Sequence, residues 1–120
     1  MPKSVLVVDD STTIRKMVMY ALRTAGLRVI TARDGLEALE LLAGQHPDLI
    51  ITDLNMPRLD GFGLVQAIRK DRAYKEVPII ILSSRTGDED VDRGLESGAT
   101  AFLPKPFDQK RIQYEVAKYI

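Results

Sequence analysis

Residues 5–11 read Val-Leu-Val-Val-Asp-Asp-Ser, four consecutive apolar residues followed by two carboxylates and a hydroxyl. A short apolar run rich in β-branched residues is typical of a strand buried on both faces of a parallel sheet. Similar runs occur at residues 49–51 and 79–82. The run at residues 27–31 is more polar and the run at residues 101–103 is shorter, as is typical of edge strands. The sequence therefore predicts five strands, with the first, third and fourth at the centre of the sheet.

An amphipathic segment follows each strand. In the first segment the apolar residues recur at the spacing of one helical face. These residues are Ile14, Met17, Val18, Ala21, Leu22 and Ala25, and Gly26 can end the helix. Residues 34–37 have the spacing of a capping box, and Gly44 can end the helix that they begin. Further helices are predicted after Gly61, over residues 87–97 and around residues 112–120. Five β-α units in succession predict an α/β fold with a parallel sheet covered on both faces.

The composition indicates one globular domain over residues 1–120 and excludes several classes of function. Lys plus Arg number 17 and Asp plus Glu number 17, and this zero net charge argues against direct binding of nucleic acid or of an anionic membrane. With no cysteine and a single histidine, His46, thiol chemistry and multi-histidine metal sites are excluded. The apolar run at residues 5–8 is too short for a signal peptide, so we expect a cytoplasmic protein.

Polar residues gather where the predicted strands end, and ligands of open α/β sheets bind at that edge. They are Asp9-Asp10, Asp53 with Asn55 shortly after it, Ser83-Ser84, and Lys105-Pro106. Three carboxylates in one place would bind protons unless a cation neutralises them, and a set of oxygen ligands without His or Cys selects Mg²⁺, with Mn²⁺ as a second choice. An aspartate beside such an ion can attack phosphorus and form an acyl phosphate, and a lysine can offset the phosphoryl charge.

With these motifs, the chain resembles the receiver domains of two-component response regulators, in the single-domain form found in chemotaxis. The resemblance covers essentially the whole chain and implies a flavodoxin-like (βα)5 fold with strand order 2-1-3-4-5. It also implies that Asp53 is the phosphoacceptor and lies at the metal site. Asp10 would ligate Mg²⁺ directly, Asp9 would act mostly through water, and the backbone carbonyl of Asn55 would supply a further ligand.

The resemblance assigns roles to the other motif residues too. Ser83 corresponds to the switch hydroxyl, and Ser84 stands where the family usually has alanine. Lys105 would pair with the aspartate or its phosphoryl group, and the Lys105–Pro106 peptide bond would be cis. Phe102 corresponds to the switch aromatic, where the chemotaxis protein has tyrosine. Asn55 and Arg85 occupy positions that tune the lifetime of the phosphoryl group in the family.

These roles together imply a signalling switch that catalyses only its own phosphorylation and dephosphorylation. A histidine kinase or phosphotransfer protein would donate the phosphoryl group. A downstream protein would then bind differently to the face made by the fourth helix, fifth strand and fifth helix. We expect a monomer or a weak, phosphorylation-dependent dimer. The fourth helix has a thin apolar side, chiefly Val91 and Leu95, which favours low local stability.

Other interpretations of the same residues remain open at this point. Asp9 and Asp10 could simply cap the first helix, and Ser11 could do the same. A phosphatase of the haloacid dehalogenase type also forms an aspartyl phosphate, but its paired acids follow the first strand, whereas Asp53-Leu54-Asn55 follows the third. A phosphate-independent docking domain would not need the acids, hydroxyl and lysine together. A flavin-binding flavodoxin would need a phosphate-cradling loop after the first strand.

Overall fold

The computed structural model describes residues 2–84 and 87–120. Within them, five parallel strands form one sheet in the order β2-β1-β3-β4-β5, which confirms the predicted flavodoxin-like fold and the central strands. The strands are β1 (Ser4–Val8), β2 (Arg28–Ala32), β3 (Leu49–Asp53), β4 (Ile79–Ser83) and β5 (Ala101–Pro104). The helices are α1 (Thr12–Thr24), α2 (Gly35–Leu42), α3 (Gly61–Lys70), α4 (Asp88–Glu96) and α5 (Gln109–Ala117). None of these helices is both long enough and apolar enough to cross a membrane.

The register of the sheet brings the carboxyl ends of its strands together at one edge. Val8 of β1 lies opposite Thr52 of β3, so that Asp9 and Asp53 follow side by side. Asp53 in turn pairs with Leu82 of β4, one residue before Ser83. The residues that end or follow β1, β3 and β4 therefore share a single edge, as ligand-binding residues do in open α/β sheets.

Two apolar layers cover the faces of the sheet, because successive side chains of a strand point to opposite sides. One layer combines residues such as Leu6 and Ile50 with α2 and α3, and the other combines residues such as Val7 and Ile51 with α1 and α5. All five residues of β3 and all five of β4 are buried. Burial on both faces explains why these strands appear in the sequence as continuous apolar runs.

Helix α1 differs slightly from its predicted apolar face. Val18, Ala21 and Leu22 are buried, but Met17 is 37% exposed and Ala25 is exposed. The stripe that faces the core is thus narrower than the sequence pattern indicates.

The helix is capped by Ser11, whose Oγ accepts the Ile14 N–H at 3.3 Å, so neither carboxylate at the end of β1 is needed as its cap.

Candidate functional site

Three carboxylates converge at the carboxyl edge of the sheet. Asp9, Asp10 and Asp53 each offer one oxygen, and these oxygens all lie within 4.8 Å of one another. Asp9 and Asp53 are only 1% and 7% exposed, whereas Asp10 is exposed to solvent. The pairing of β1 with β3 produces this arrangement, because it sets the residues after the two strands next to each other. Like charges held this close repel one another and favour a bound cation.

Lys105 reaches into this group of acids from the end of β5. Its Nζ lies 3.0 Å from Oδ1 of Asp53 and 3.4 Å from Oδ2 of Asp9. Its backbone N–H donates to the Ser83 carbonyl at 2.8 Å, and the Lys105–Pro106 peptide bond is cis. The backbone of Lys105 is thus fastened to β4 while its ammonium group bridges the two buried carboxylates.

The electrostatics of the site follow from this geometry. Burial raises the pKa of Asp9, a hydrogen bond from the Ser11 N–H opposes the rise, and the nearby charge of Asp53 adds to it. Burial alone would lower the pKa of Lys105, but the hydrogen bond and negative charge of Asp53, together with Asp9, raise it above its ordinary value. Lys105 is therefore a fixed positive charge beside the acids at physiological pH.

The chemistry of the donor set fits magnesium. All three side chains present carboxylate oxygens, and magnesium binds such ligands at about 2.1 Å. Two ligands of one octahedral ion are about 3.0 Å apart when adjacent and about 4.2 Å apart when opposite, and the three oxygens lie within 4.8 Å of one another. Asn55, the fourth residue assigned to the metal site above, lies two residues beyond Asp53 and is exposed.

The two serines after the β4 run have different surroundings. Ser83 ends β4 and is 1% exposed. Ser84 is exposed and borders a largely apolar cavity of about 380 Å³, whose other lining residues are Ile14, Met17, Lys105, Pro106 and Phe107. The lysine side chain thus separates the acids from an open apolar recess next to α1. Arg85, named above for the phosphoryl lifetime, lies outside the described residues.

Phe102 is the residue of β5 that lies next to Gly94 of α4. It lies opposite Ile81 in the sheet and is half-buried. A Cβ atom added to Gly94 of α4 would stand 3.2 Å from both Ile81 Cδ1 and Phe102 Cδ2. The absence of a side chain at Gly94 therefore leaves the space that the phenylalanine ring occupies, and the position of this ring depends on the distance between α4 and the sheet.

The structure adds two contacts that the sequence patterns did not reveal. Arg15 Nη1 donates to the Asp9 carbonyl at 2.6 Å and holds the turn that carries the acids. Arg58 donates to the buried carboxylate of Asp34. Position 15 follows the acids closely, so a search for basic residues one helical turn into α1 could have suggested it. The second pair joins residues 24 positions apart, and no local pattern signals it.

Comparison with known proteins agrees with this geometry. The family model of the response regulator receiver domain matches residues 5–117. Protein PilG of Pseudomonas aeruginosa is 42% identical over 108 residues, which are 90% of this chain and 80% of that protein. Other curated relatives are longer, and the chain spans 44 to 46% of their length.

Solved structures match over nearly the whole chain. The chemotaxis response regulator CheY4 of Vibrio cholerae is 40% identical, with a TM-score of 0.96 and full coverage of both chains. The receiver domain of the sensor histidine kinase PA1611 of Pseudomonas aeruginosa is 28% identical, with a TM-score of 0.91 and coverage of 99% and 98% of the two chains. The latter structure has a magnesium ion coordinated in its active site cleft.

Proposed function

Since the chain belongs to the response regulator receiver domain family, we propose that residues 1–120 act as one receiver unit whose Asp53 accepts a phosphoryl group. The donor is the phosphohistidine of a histidine kinase or of a phosphotransfer protein. A carboxylate oxygen of Asp53 forms the new O–P bond while the N–P bond breaks, and the imidazole leaves with its electron pair. The observation that carries this proposal is the meeting of three carboxylates and one ammonium group at one edge of the sheet.

Asp53 suits the role of acceptor better than its neighbours. It is the last residue of the central strand β3, and it lies between Asp9 on one side and the end of β4 on the other. Lys105 already holds Oδ1 of Asp53 at 3.0 Å, and the same ammonium group can follow the charge onto a phosphoryl oxygen. Asp9 is more deeply buried, and Asp10 is exposed to solvent, as suits a metal ligand that shares its ion with water.

Magnesium is the proposed cofactor, with manganese as an alternative. Asp10 and Asp53 would hold it directly, Asp9 mostly through water, and the Asn55 carbonyl would complete the protein ligands. The oxygen-only donor set supports this choice, as does the magnesium ion in the similarly folded receiver domain of PA1611. When bound, the ion would act as a Lewis acid that offsets negative charge on the transferring phosphoryl group.

Signal output would follow from a change around β4, α4 and β5. The buried hydroxyl of Ser83 would bond a phosphoryl oxygen, with Ser84 beside it, and Phe102 would move further inward against α4. A downstream protein would recognise the changed face formed by α4, β5 and α5. Because the proposed reaction modifies the protein itself and ends with hydrolysis of its own acyl phosphate, it constitutes a switch rather than turnover of an external substrate.

Phosphorylation by acetyl phosphate in the presence of Mg²⁺ tests the proposal directly. We expect the wild-type protein to gain one phosphoryl group, seen as a mass increase of the intact protein, and Asp53→Asn to gain none. Chelation of the metal by EDTA should prevent the modification. These results would follow because the variant lacks the nucleophilic carboxylate and the chelated protein lacks the Lewis acid.

Asp48→Asn is the matched control, since Asp48 immediately precedes β3 and so lies at the opposite edge of the sheet. Asparagine keeps an oxygen that can accept the Ser4 N–H, as Oδ2 of Asp48 does at 2.8 Å. This variant should be phosphorylated like the wild type. Undiminished labelling of Asp53→Asn, or labelling that does not respond to EDTA, would contradict the proposed acceptor and cofactor.

A further inference from the structure

The loop between β3 and α3, residues 54–60, carries the Asn55 carbonyl and is closed by backbone contacts at its two ends. The Gly61 N–H donates to the Leu54 carbonyl at 2.8 Å. A Cβ atom on Gly61 would stand 2.5 Å from the Asp53 carbonyl oxygen, so only glycine allows α3 to start this close to the strand. These contacts fix where the loop leaves and rejoins the fold. Its middle is held by Met56 and Leu59 against the core and Gly63 of α3, and by contacts with α2.

The middle of the loop is docked on the first turn of α2. Leu59 packs against Gly35 so closely that a Cβ atom there would stand 3.0 Å from the leucine side chain. The preceding residue, Arg58, has φ of 69°, a left-handed conformation that is costly for a residue with a side chain. Such a conformation persists only where neighbouring contacts hold it, and the guanidinium group of Arg58 supplies one by donating to Asp34.

Asp34 is built to receive this contact. Its carboxylate is buried, and its two oxygens have separate partners: Oδ1 accepts the Glu37 N–H at 2.9 Å as the cap of α2, and Oδ2 accepts Arg58 Nη2. Both bonds favour the ionised form, the one from the Glu37 N–H most, and they hold the pKa of Asp34 below its usual value. One carboxylate therefore both starts α2 and anchors the loop.

We infer that Arg58 and Asp34 are positioning residues for the metal site, which act by fixing the loop that presents the Asn55 carbonyl. The inference rests on the proposed function, because it takes the site to bind a divalent cation. A side-chain ligand can compensate for a small displacement by changing its rotamer, but a backbone carbonyl moves only with its loop. Loss of the Arg58–Asp34 hydrogen bond should therefore weaken metal binding, although neither residue contacts the ion.

The expected loss of Mg²⁺ affinity can be estimated from residues that hydrogen-bond to metal ligands in other proteins. Their loss typically weakens metal affinity about 10–100-fold. The Arg58 side chain is 56% exposed, so part of its attraction for Asp34 is screened by solvent, and Leu59 remains in place. We therefore expect a rise of about 3–10-fold in the dissociation constant for Mg²⁺, which is below that general range.

Magnesium titration of the unphosphorylated protein, followed by calorimetry or by amide chemical shifts, tests this inference. Arg58→Ala removes the donor, and Asp34→Ser removes the acceptor for Arg58 while its hydroxyl can still cap α2. Each should raise the dissociation constant to a similar extent. The double variant should be no weaker than either single variant, because the two residues act through one contact. Arg58→Lys should restore part of the affinity.

Arg33→Ala is the matched control, since it removes another arginine that pairs with a carboxylate of α2, Glu37, and should leave Mg²⁺ affinity unchanged. A similar loss of affinity in this control would overturn the inference, because the effect would then be one of general charge. So would additive effects in the double variant, or single variants that melt earlier in EDTA yet bind Mg²⁺ like the wild type. Failure of the wild-type protein to bind Mg²⁺ would instead count against the proposed function.

Discussion

Helices α1 and α4 lie on opposite faces of the sheet and differ greatly in how much side chain they bury. Helix α1 starts at the Ser11 cap and buries Val18, Ala21 and Leu22 against the sheet and α5. Helix α4 starts at Gly87, which forms no side-chain cap, and buries only Gly94. Because local stability follows buried apolar contacts, we expect α1 to serve as scaffold and α4 to shift between arrangements at lower cost.

The amino end of α4 also relies on a different kind of interaction. Its first turn contains Asp88, Glu89 and Asp90, and such charges stabilise a helix start through its dipole by about 0.3–1 kcal/mol each at low salt. Salt screens this contribution, whereas the buried contacts of α1 are insensitive to it. We therefore expect the adaptable part of the molecule to be α4, whose Gly94 lies against Phe102.

The largest effect that separates the two helices is expected from leucine truncation. Leu22→Ala in α1 removes a fully buried side chain and should lower the free energy of unfolding by about 2–5 kcal/mol. Leu95→Ala in α4 should cost less than about 1 kcal/mol, because Leu95 is 44% exposed. Urea denaturation of both variants at one Mg²⁺ concentration measures the difference. Equal losses would show that α4 is packed as firmly as α1.

A smaller but more specific effect is expected when the proposed phosphoryl site is filled by beryllofluoride in the presence of Mg²⁺. Amide hydrogen exchange should change in α4 and β5, since these are the elements that we propose to shift, while protection in α1 stays nearly the same. Asp53→Asn treated in the same way should show no change. Identical protection of α4 and β5 with and without the mimic would contradict the proposed output face.

The smallest effect is expected from a new cap on α4. Gly87→Ser places a hydroxyl at the cap position, where glycine is already tolerated, so the gain should be only a few tenths of a kcal/mol. The added Cβ would lie 3.8 Å from the nearest atom of Asp90, which is ordinary contact. Slower amide exchange in α4, with α1 as internal reference, is the measurement. Unaltered exchange would show that the start of α4 is not what limits its stability.

The elements of the fold could be predicted from the sequence because burial on both faces leaves a direct pattern. The runs that became β1, β3 and β4 are continuous because Val5–Val8 of β1 and every residue of β3 and β4 are buried. Local patterns indicated only that β1, β3 and β4 are central, and the full strand order came from the family resemblance. The width of the core-facing stripe on α1 was overestimated: Met17 borders the cavity beside Lys105 rather than the core.

The candidate site was accessible to prediction for a topological reason. Parallel strands deliver the residues at their carboxyl ends to one edge, so the spacing of Asp9, Asp53 and Lys105 in the chain did not matter. The Arg58–Asp34 contact follows no such rule, because it joins a loop to a helix cap through a residue with an unusual backbone angle. The roles of Asp53, Ser83 and Phe102 in phosphoryl transfer remain predictions that the experiments above address.

The close approach of Gly61 to β3 has a consequence for how this architecture can change during evolution. With 2.5 Å between a would-be Cβ and the Asp53 carbonyl oxygen, a single methyl group would wedge the third helix away from the central strand. Only the hydrogen atom of glycine fits this clearance, so a change at position 61 could persist only together with a shift of α3 away from Asp53.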